Sequence, residues 1–469
     1  MRRTAVLALA AAALVGCSDR ITSPDAPAPG APSLAATPAG GTSTVAPIVF
    51  VLSQPRVIAT VTGGWNYFRY PNRPDAEVGG GTAAWQYRDD PFYGPMHVMR
   101  APLSTGAATE VAVLDYAANP TVNDRYTAWQ SSDSTVTVVD NASGRTWQLA
   151  APKTELTTLR LAGDQLALLR RTGGSARDLV VYDLAAGTSR VVAGLGADAI
   201  VNPGFFSFDG RWAGVRVSTN LTGIMVVDTR TGQQRIAVPY RSGGLSGPWI
   251  DAGRMVYSLM DGGTTYTYAQ DLATGATRIV SSASPPVPLP YPDTRLRQTT
   301  PRISGSLVVW TDTRRDSSDS QGYPQHTDVY LHDLASGVEM PVSTAPGWSG
   351  DARVSGNHLL WTRSREGARD LTWELVTEDV TPVSIPLLMD ELKKMEAAGT
   401  VPADPLGHVL ETFLAQAQAR RMGSPAVIAH LRQFAMMVHR NAGTKIDAAA
   451  AQRLEGIANG VILRMTGHG

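Results

Sequence analysis

Between residues 79 and 376 the chain alternates short apolar runs with turns rich in Gly, Asp, Asn and Ser. One element recurs as a tight turn followed by an apolar strand that tends to end in an aromatic residue. It reads GGGTAAW (79–85), NDRYTAW (123–129), AGDQLALL (162–169), FDGRWAGV (208–215), DAGRMVY (251–257), SGSLVVW (304–310) and SGNHLLW (355–361). A second element follows most copies, an alternating strand that runs into an Asp-x-x-x-Gly turn. Its copies are VVDNASG (138–144), VYDLAAG (181–187), VVDTRTG (226–232), AQDLATG (269–275) and LHDLASG (331–337), with a weaker RAPLSTG ending at Gly106.

Each element has a physical reading. An Asp at the start of the turn accepts hydrogen bonds from backbone N–H groups two residues on, and the Gly supplies the positive φ that closes a hairpin. Apolar strands rich in β-branched and aromatic residues suit central strands covered on both faces. A repeat of about 44 residues is the length of one four-stranded antiparallel sheet. The pattern therefore predicts a mainly β chain, a β-propeller of seven four-stranded blades, because a closed ring limits exposed sheet edges. A linear array of the same sheets is the competing arrangement. PIVFVLS (47–53) and VIATVT (57–62) read as strands ahead of the first clear blade, and one of them is placed to complete the last blade.

The period changes after Pro386. Apolar residues now recur at helical spacing, as in Leu388, Leu392 and Met395, then Leu406, Val409, Leu410, Phe413 and Leu414. Ile428, Leu431, Phe434 and Val438 continue the pattern, and Ala450, Leu454, Ile457 and Ile462 end it. Gly399 and Gly423 stand where helices should stop, and Ser424-Pro425 reads as an N-cap with proline in the first turn. The spacing predicts a small all-α domain of four helices over 387–466, behind a propeller over 47–386.

The propeller units resemble TolB-type repeats, also found in bacterial cell-surface propellers. The residues that carry the likeness are LVVWTD (307–312) and VYLHDLASG (329–337), and the similarity spans roughly 65–386. It implies architecture and says little about activity, since such propellers host many roles. The helical tail resembles the FIMAH domain of bacterial extracellular proteins through Leu392, Gly399, Leu406, Leu410, Phe413, Ala417, Ala429, Leu431 and Phe434. Those are core positions, so that resemblance implies fold and extracellular context only.

The N-terminus reads as an address. Two arginines precede an apolar run over 4–15, too short for a permanent membrane span, as in a secretory signal. LVGC (14–17) resembles the bacterial lipobox. The resemblance implies removal of residues 1–16 and lipidation of Cys17, with the membrane as partner through that anchor. Ser18 in the next position implies the outer membrane. Residues 17–46, rich in Pro, Ala, Ser and Thr, lack apolar periodicity and read as a disordered tether.

Composition narrows the chemistry. Lys+Arg and Asp+Glu number 41 each, no long run of one sign occurs, and nothing points to nucleic acid. Cys17 is the only cysteine, which excludes an intramolecular disulfide and a thiolate zinc site. No GxSxG elbow, HExxH motif or P-loop occurs, and His408 with Glu411 stands without further ligands. Trp85, Trp129, Trp310 and Trp361 recur at one blade position among apolar neighbours, which reads as packing between blades rather than a platform for sugars.

The longest insertion, TDTRRDSSDSQGYPQHTD (311–328), is acidic but lacks calcium-loop spacing. With SPPVPLPYPDTR (284–295) it forms a candidate rim, and Tyr291, Arg314, Tyr323 and His326 are the binding candidates there. The expectation is a noncatalytic envelope protein that binds a protein or glycan, with no catalytic residue, cofactor or metal. The alternatives are a propeller polysaccharide lyase or hydrolase, marked by converging histidines, and an outer-membrane assembly scaffold.

Overall fold

A computed structural model describes residues 45–62, 75–88, 94–115, 119–132, 134–151, 159–173, 176–195, 200–218, 221–241, 244–261, 264–281, 301–312, 327–343, 347–364 and 372–466. Cys17 lies outside the described residues. So do Tyr291, Arg314, Tyr323 and His326.

The chain forms seven antiparallel blades followed by four helices. The first strands of the blades are Asp75–Gly79, Thr121–Val122, Arg160–Ala162, Ile200–Phe208, Leu245–Asp251, Arg302–Ser304 and Trp348–Ser355. Each touches the first strand of the next blade, and Trp348–Ser355 touches Asp75–Gly79, so the ring is closed and the first strands surround its axis. Closure uses both N-terminal strands. Phe50–Leu52 and Arg56–Thr62 lie end to end along Thr372–Pro382, the last strand of blade seven, and together fill its outer position.

Hairpin chemistry explains the regularity. In blade two the Asp140 carboxylate accepts from the backbone N–H groups of Ala142 and Ser143 at 3.1 and 2.9 Å. The Gly144 N–H donates to the Asp140 carbonyl at 2.9 Å, with Gly144 at φ +70°. A residue with a Cβ would be strained there. The aromatic ends of the second strands are core: Trp85, Trp129, Trp310 and Trp361 are all buried.

The helices are α1 (Ile385–Ala397), α2 (His408–Gln418), α3 (Pro425–Asn441) and α4 (Ala448–Thr466). Ser384 and Ser424 cap α1 and α3, each hydroxyl accepting from the N–H three residues on. Gly399 and Gly423, at φ +73° and +79°, follow the ends of α1 and α2. The inward faces of the four helices form one core around Leu388, Leu410, Phe434 and Leu454. None of the described helices is long and apolar enough to cross a membrane.

The helices are fastened to the propeller through α4. The Ile48 N–H donates to the Gly456 carbonyl at 2.8 Å, and Leu463 joins the core shared by blades six and seven. Arg464 donates at 3.0 Å to Asp333, the turn aspartate of blade six, whose side chain is fully buried. Ser306 and Ser336 hydroxyls donate to the same carboxylate at 2.6 and 2.8 Å, so the buried charge is solvated by protein groups.

Two buried groups, one in blade seven and one in blade six, give opposing pH dependence. Burial, with a smaller contribution from Asp379, pushes Glu378 from 4.5 up to about 7. The folded state then binds more protons between those values, and its stability falls as pH rises through that window. Burial, helped by Arg278 and opposed by Asp333, pushes His332 from 6.5 down to about 4. Here the unfolded chain binds more protons, and stability falls as pH drops from 6.5 to 4. Glu378→Gln removes the first effect and leaves the second. Chemical denaturation should show the variant more stable than the parent by about 3 kcal/mol at pH 8, with the gap closing near pH 4.5. A gap that does not change with pH would contradict this assignment.

Candidate functional site

The described histidines of the propeller sit on separate blades. His97 bonds Glu110 at 2.6 Å in blade one, and His358 bonds Asp379 at 2.7 Å in blade seven. His332 is buried in blade six. No group of three potential metal ligands occurs among the described residues. Asp312 and Asp328, which flank the long insertion, are register partners on adjacent strands of blade six and are buried; Asp312 accepts the Trp310 indole N–H at 3.0 Å.

Polar side chains gather instead on the ring axis. The first strand of every blade pairs with its second strand, and one register position is equivalent in all seven. The pairs are Glu77–Ala84, Thr121–Ala128, Arg160–Ala167, Ser207–Gly214, Trp249–Val256, Arg302–Val309 and Arg353–Leu360. This level of the axis thus carries one carboxylate, three guanidinium groups, an indole and two hydroxyls. Irregularities in register occur immediately before it in blades four, five and seven, between Asn202 and Phe206, Ser246 and Trp249, and Gly350 and Arg353. Bulges of this kind bend a strand and re-aim its side chains.

The side chains meet across the ring. Arg302 from blade six lies over the Trp249 ring of blade five, its Cζ 3.0 Å from the ring centre. Arg160 reaches the same ring from blade three, at 5.1 Å. Blades three and five are not neighbours, so this contact crosses the space around the axis. Arg353 of blade seven pairs with Glu77 of blade one at 3.6 Å. Ser207 of blade four accepts the Ile250 N–H of blade five at 2.8 Å, which pins the strand that carries Trp249.

Burial and mutual charge set the electrostatics of the cluster. Burial alone would raise Glu77, but Arg353, Arg302 and Arg160 together hold it below the ordinary carboxylate range. Burial, then repulsion from Arg353, pushes Arg302 well below the ordinary guanidinium value, with Glu77 and Asp351 opposing. Arg160 and Arg353 each place a guanidinium nitrogen on a nearby backbone carbonyl, at 2.6 Å on Leu159 and 3.0 Å on Asp351. Arg302, only 7% exposed, makes no such carbonyl bond: its Nε and Nη1 are buried and meet no acceptor among the described residues, and neither does the Trp249 indole N–H. A buried cation without a hydrogen-bonding acceptor is costly to keep. The cluster can therefore receive an anion, with the indole as a flat wall beside it.

None of these residues was among the sequence-derived candidates, yet a signal for them exists. Arg302 stands eight residues before Trp310 and Arg353 eight before Trp361, as Glu77 does before Trp85. That offset falls in the strand ahead of the recognisable motif, where each blade contributes one residue and the residue type varies.

No family model and no curated protein sequence matches the chain. Similar solved structures exist, among them the β-propeller domain of the Trilobed protease from Pyrococcus furiosus, 13% identical, with 66% of this chain and 97% of that one covered and a TM-score of 0.46. An oligogalacturonate lyase in complex with manganese is 14% identical, with 71% of this chain and 96% of that one covered and a TM-score of 0.44. A puromycin hydrolase is 14% identical over 65% of this chain and 53% of its own, with a TM-score of 0.45. These neighbours correct the expectation of a chain without enzymatic activity. The structures similar to this chain include a lyase and a hydrolase, and at this identity the likeness assigns no activity. The putative TolB from Agrobacterium tumefaciens is also 14% identical, covering 60% of this chain and 96% of that one with a TM-score of 0.36, and the fold of this chain is a seven-bladed propeller with TolB-like neighbours.

Proposed function

We propose that the chain is an exported cell-envelope protein, held to the outer membrane by a lipid on Cys17, that takes a protein or glycan ligand at the axis of its propeller. The observation that carries the ligand reading is the convergence of Glu77, Arg160, Trp249, Arg302 and Arg353 from five blades on one point of the axis. A packed channel needs no such gathering of guanidinium groups, because apolar side chains fill space there without a desolvation cost. The envelope reading is supported by the basic, apolar and LVGC order of residues 1–17, and by the Pro- and Ser-rich segment that follows. In this reading the helices are a FIMAH-like extracellular module behind the propeller.

Two measurements test the two halves. Cys17→Ser should shift the protein from the membrane fraction to the soluble fraction or leave it unprocessed; unchanged fractionation with membranes overturns the anchor. For the ligand, the purified protein is screened against envelope glycans and peptides beside an Arg160→Ala/Arg353→Ala variant. The double variant should weaken whatever the parent retains by at least about tenfold, as expected for loss of charged hydrogen-bond donors. Binding that survives the double substitution places the ligand elsewhere.

A further inference from the structure

We propose that the helical module is a latch on the seam of the ring: α4 clamps residues 45–52 onto blade seven, and the seam opens only after α4 releases them. The latch is built from described residues alone and holds whether or not Cys17 carries a lipid.

Blade seven differs from the other six. Their four strands follow one another in the chain, whereas its outer position is filled from the far end of the chain. An edge strand of that kind must offset the entropy of closing the whole ring through its own contacts. Phe50–Leu52 is poorly equipped to do so. It has three residues, and Phe50 stands opposite Pro382, which has no N–H to donate. Arg56–Thr62 is longer, but its register with Thr372–Pro382 shifts between Val57 and Ala59.

One face of α4 supplies further contacts. Gly456, Asn459, Gly460, Leu463 and Arg464 stand three and four residues apart, the spacing of neighbours on a helix surface. The Ile48 N–H donates to the Gly456 carbonyl at 2.8 Å, and the Asn459 amide donates to the Val45 carbonyl at 3.3 Å. Gly460 lets the two backbones touch, since a Cβ there would lie 1.8 Å from the Ile48 oxygen. Leu463 packs against the core that holds Val49, Phe50 and Val380. Arg464 joins both sides of the seam. Its Cζ lies over the Phe50 ring, 5.2 Å from the centre, and it donates at 3.0 Å to the buried Asp333 of blade six.

Other faces of α4 belong to the helical core through Leu454, Ile457, Ala458 and Val461. Only Val383 and Ser384 separate Pro382 from the start of α1, so the module has a short covalent joint to the ring and α4 makes a second attachment. Holding α4 down fixes the incoming segment, the last strand and blade six together. A pull or a partner acting on residues ahead of 45 therefore meets α4 before it reaches the strands of the ring.

Ile48→Cys/Gly456→Cys locks this latch reversibly. A Cβ on residue 456 would lie 2.9 Å from the Ile48 Cγ1, one bond from the Ile48 Cβ, which suits the about 3.8 Å between Cβ atoms of a disulfide. With Cys17→Ser in the same full-length chain, no other thiol remains. Hydrogen exchange is followed by mass spectrometry in peptides covering 45–49, 50–62 and 372–382, with 165–183 of blade three as the reference. Oxidation is expected to slow the two seam peptides, relative to blade three, by at least about tenfold against the reduced protein. Equal slowing of the seam and blade three would show that the helices add only global stability, and would overturn the latch. So would a seam that exchanges alike in both redox states, or cysteines that do not join on oxidation. The Cys17→Ser parent gives a second reading that needs no cross-link. There residues 45–49 are expected to exchange as fast as 50–62 or faster. Exchange of 50–62 while 45–49 stay protected would show the strand leaving under a closed latch, and the latch would fail.

Discussion

Replacing Gly460 with alanine will destabilise the protein, although the same change in an exposed helix stabilises it. Alanine in a helix interior is favoured over glycine by up to about 1 kcal/mol. Gly460 lies in α4, and a Cβ built there would sit 1.8 Å from the Ile48 carbonyl oxygen and 2.5 Å from its carbonyl carbon. These are backbone atoms, which cannot turn aside as a side chain would. To admit one methyl group, residues 45–49 must lift off the helix. That movement breaks the Ile48 N–H to Gly456 bond and the Asn459 side-chain bond to the Val45 carbonyl. It also strains Phe50–Leu52, the strand that helps fill the outer edge of blade seven. Overpacking costs about 1–3 kcal/mol or more, and each lost hydrogen bond adds about 1 kcal/mol. The clash therefore outweighs the propensity gain, for a net loss of about 3 kcal/mol.

Denaturant unfolding measures that loss, and limited proteolysis should show earlier cleavage between residues 45 and 56. Gly456→Ala is the internal comparison. Its Cβ would meet first the Cδ1 end of Ile48 at 2.8 Å, a tip that a rotamer change can move. It should cost clearly less. Equal stability of Gly460→Ala and the parent would mean that the N-terminal segment does not lie against α4.

Trp310→Ala should cost about 3–5 kcal/mol, the range for emptying a fully buried large aromatic site. Trp310 has no exposed surface and stacks on Tyr330 with ring centres 6.1 Å apart. It belongs to the core between blades five and six, which also contains Trp249, Val256 and Ile303. The indole N–H donates to Asp312, itself buried, so the substitution also removes a donor from a carboxylate that has little water around it. The effect should reach the axis, because Trp249 and Ile303 of the same core border Arg302 in space or sequence. The expected result is a lower denaturation midpoint with an unchanged slope. Trp310→Phe, which keeps the ring and loses only the N–H, should recover most of the stability. A loss under 1 kcal/mol for Trp310→Ala would show that the blade interface collapses around the gap.

The two predictions concern features that differ in how well the sequence announces them. Trp310 ends a motif whose seven copies share a turn and an apolar strand, and local chemistry makes such a motif readable. Gly460 carries no signal of this kind. It stands in a helical pattern where glycine only lowers the expectation of helix, and its reason appears only when Ile48, more than 400 residues earlier in the chain, is seen against it. The candidate site divides the same way. Inspection of the long polar insertions led to Tyr291, Arg314, Tyr323 and His326, because insertions in repeat folds gather at binding faces. The axial arginines sit inside strands, one to a blade, and look like ordinary strand residues until the ring brings them together.

The sequence by itself determined the repeat, the seven four-stranded blades, the hairpin turns and the four amphipathic helices. Each of these rests on interactions between residues a few positions apart, or on a period of two or 3.6, and both are printed in the order of residues. The tertiary structure alone decided three things. Both N-terminal strands share the edge of the last blade, α4 is bound to blade six through Arg464 and Asp333, and three arginines, a tryptophan and a glutamate face one another on the axis. Ring closure is the physical reason. It makes neighbours of residues from blades far apart along the chain, and no local pattern records that distance.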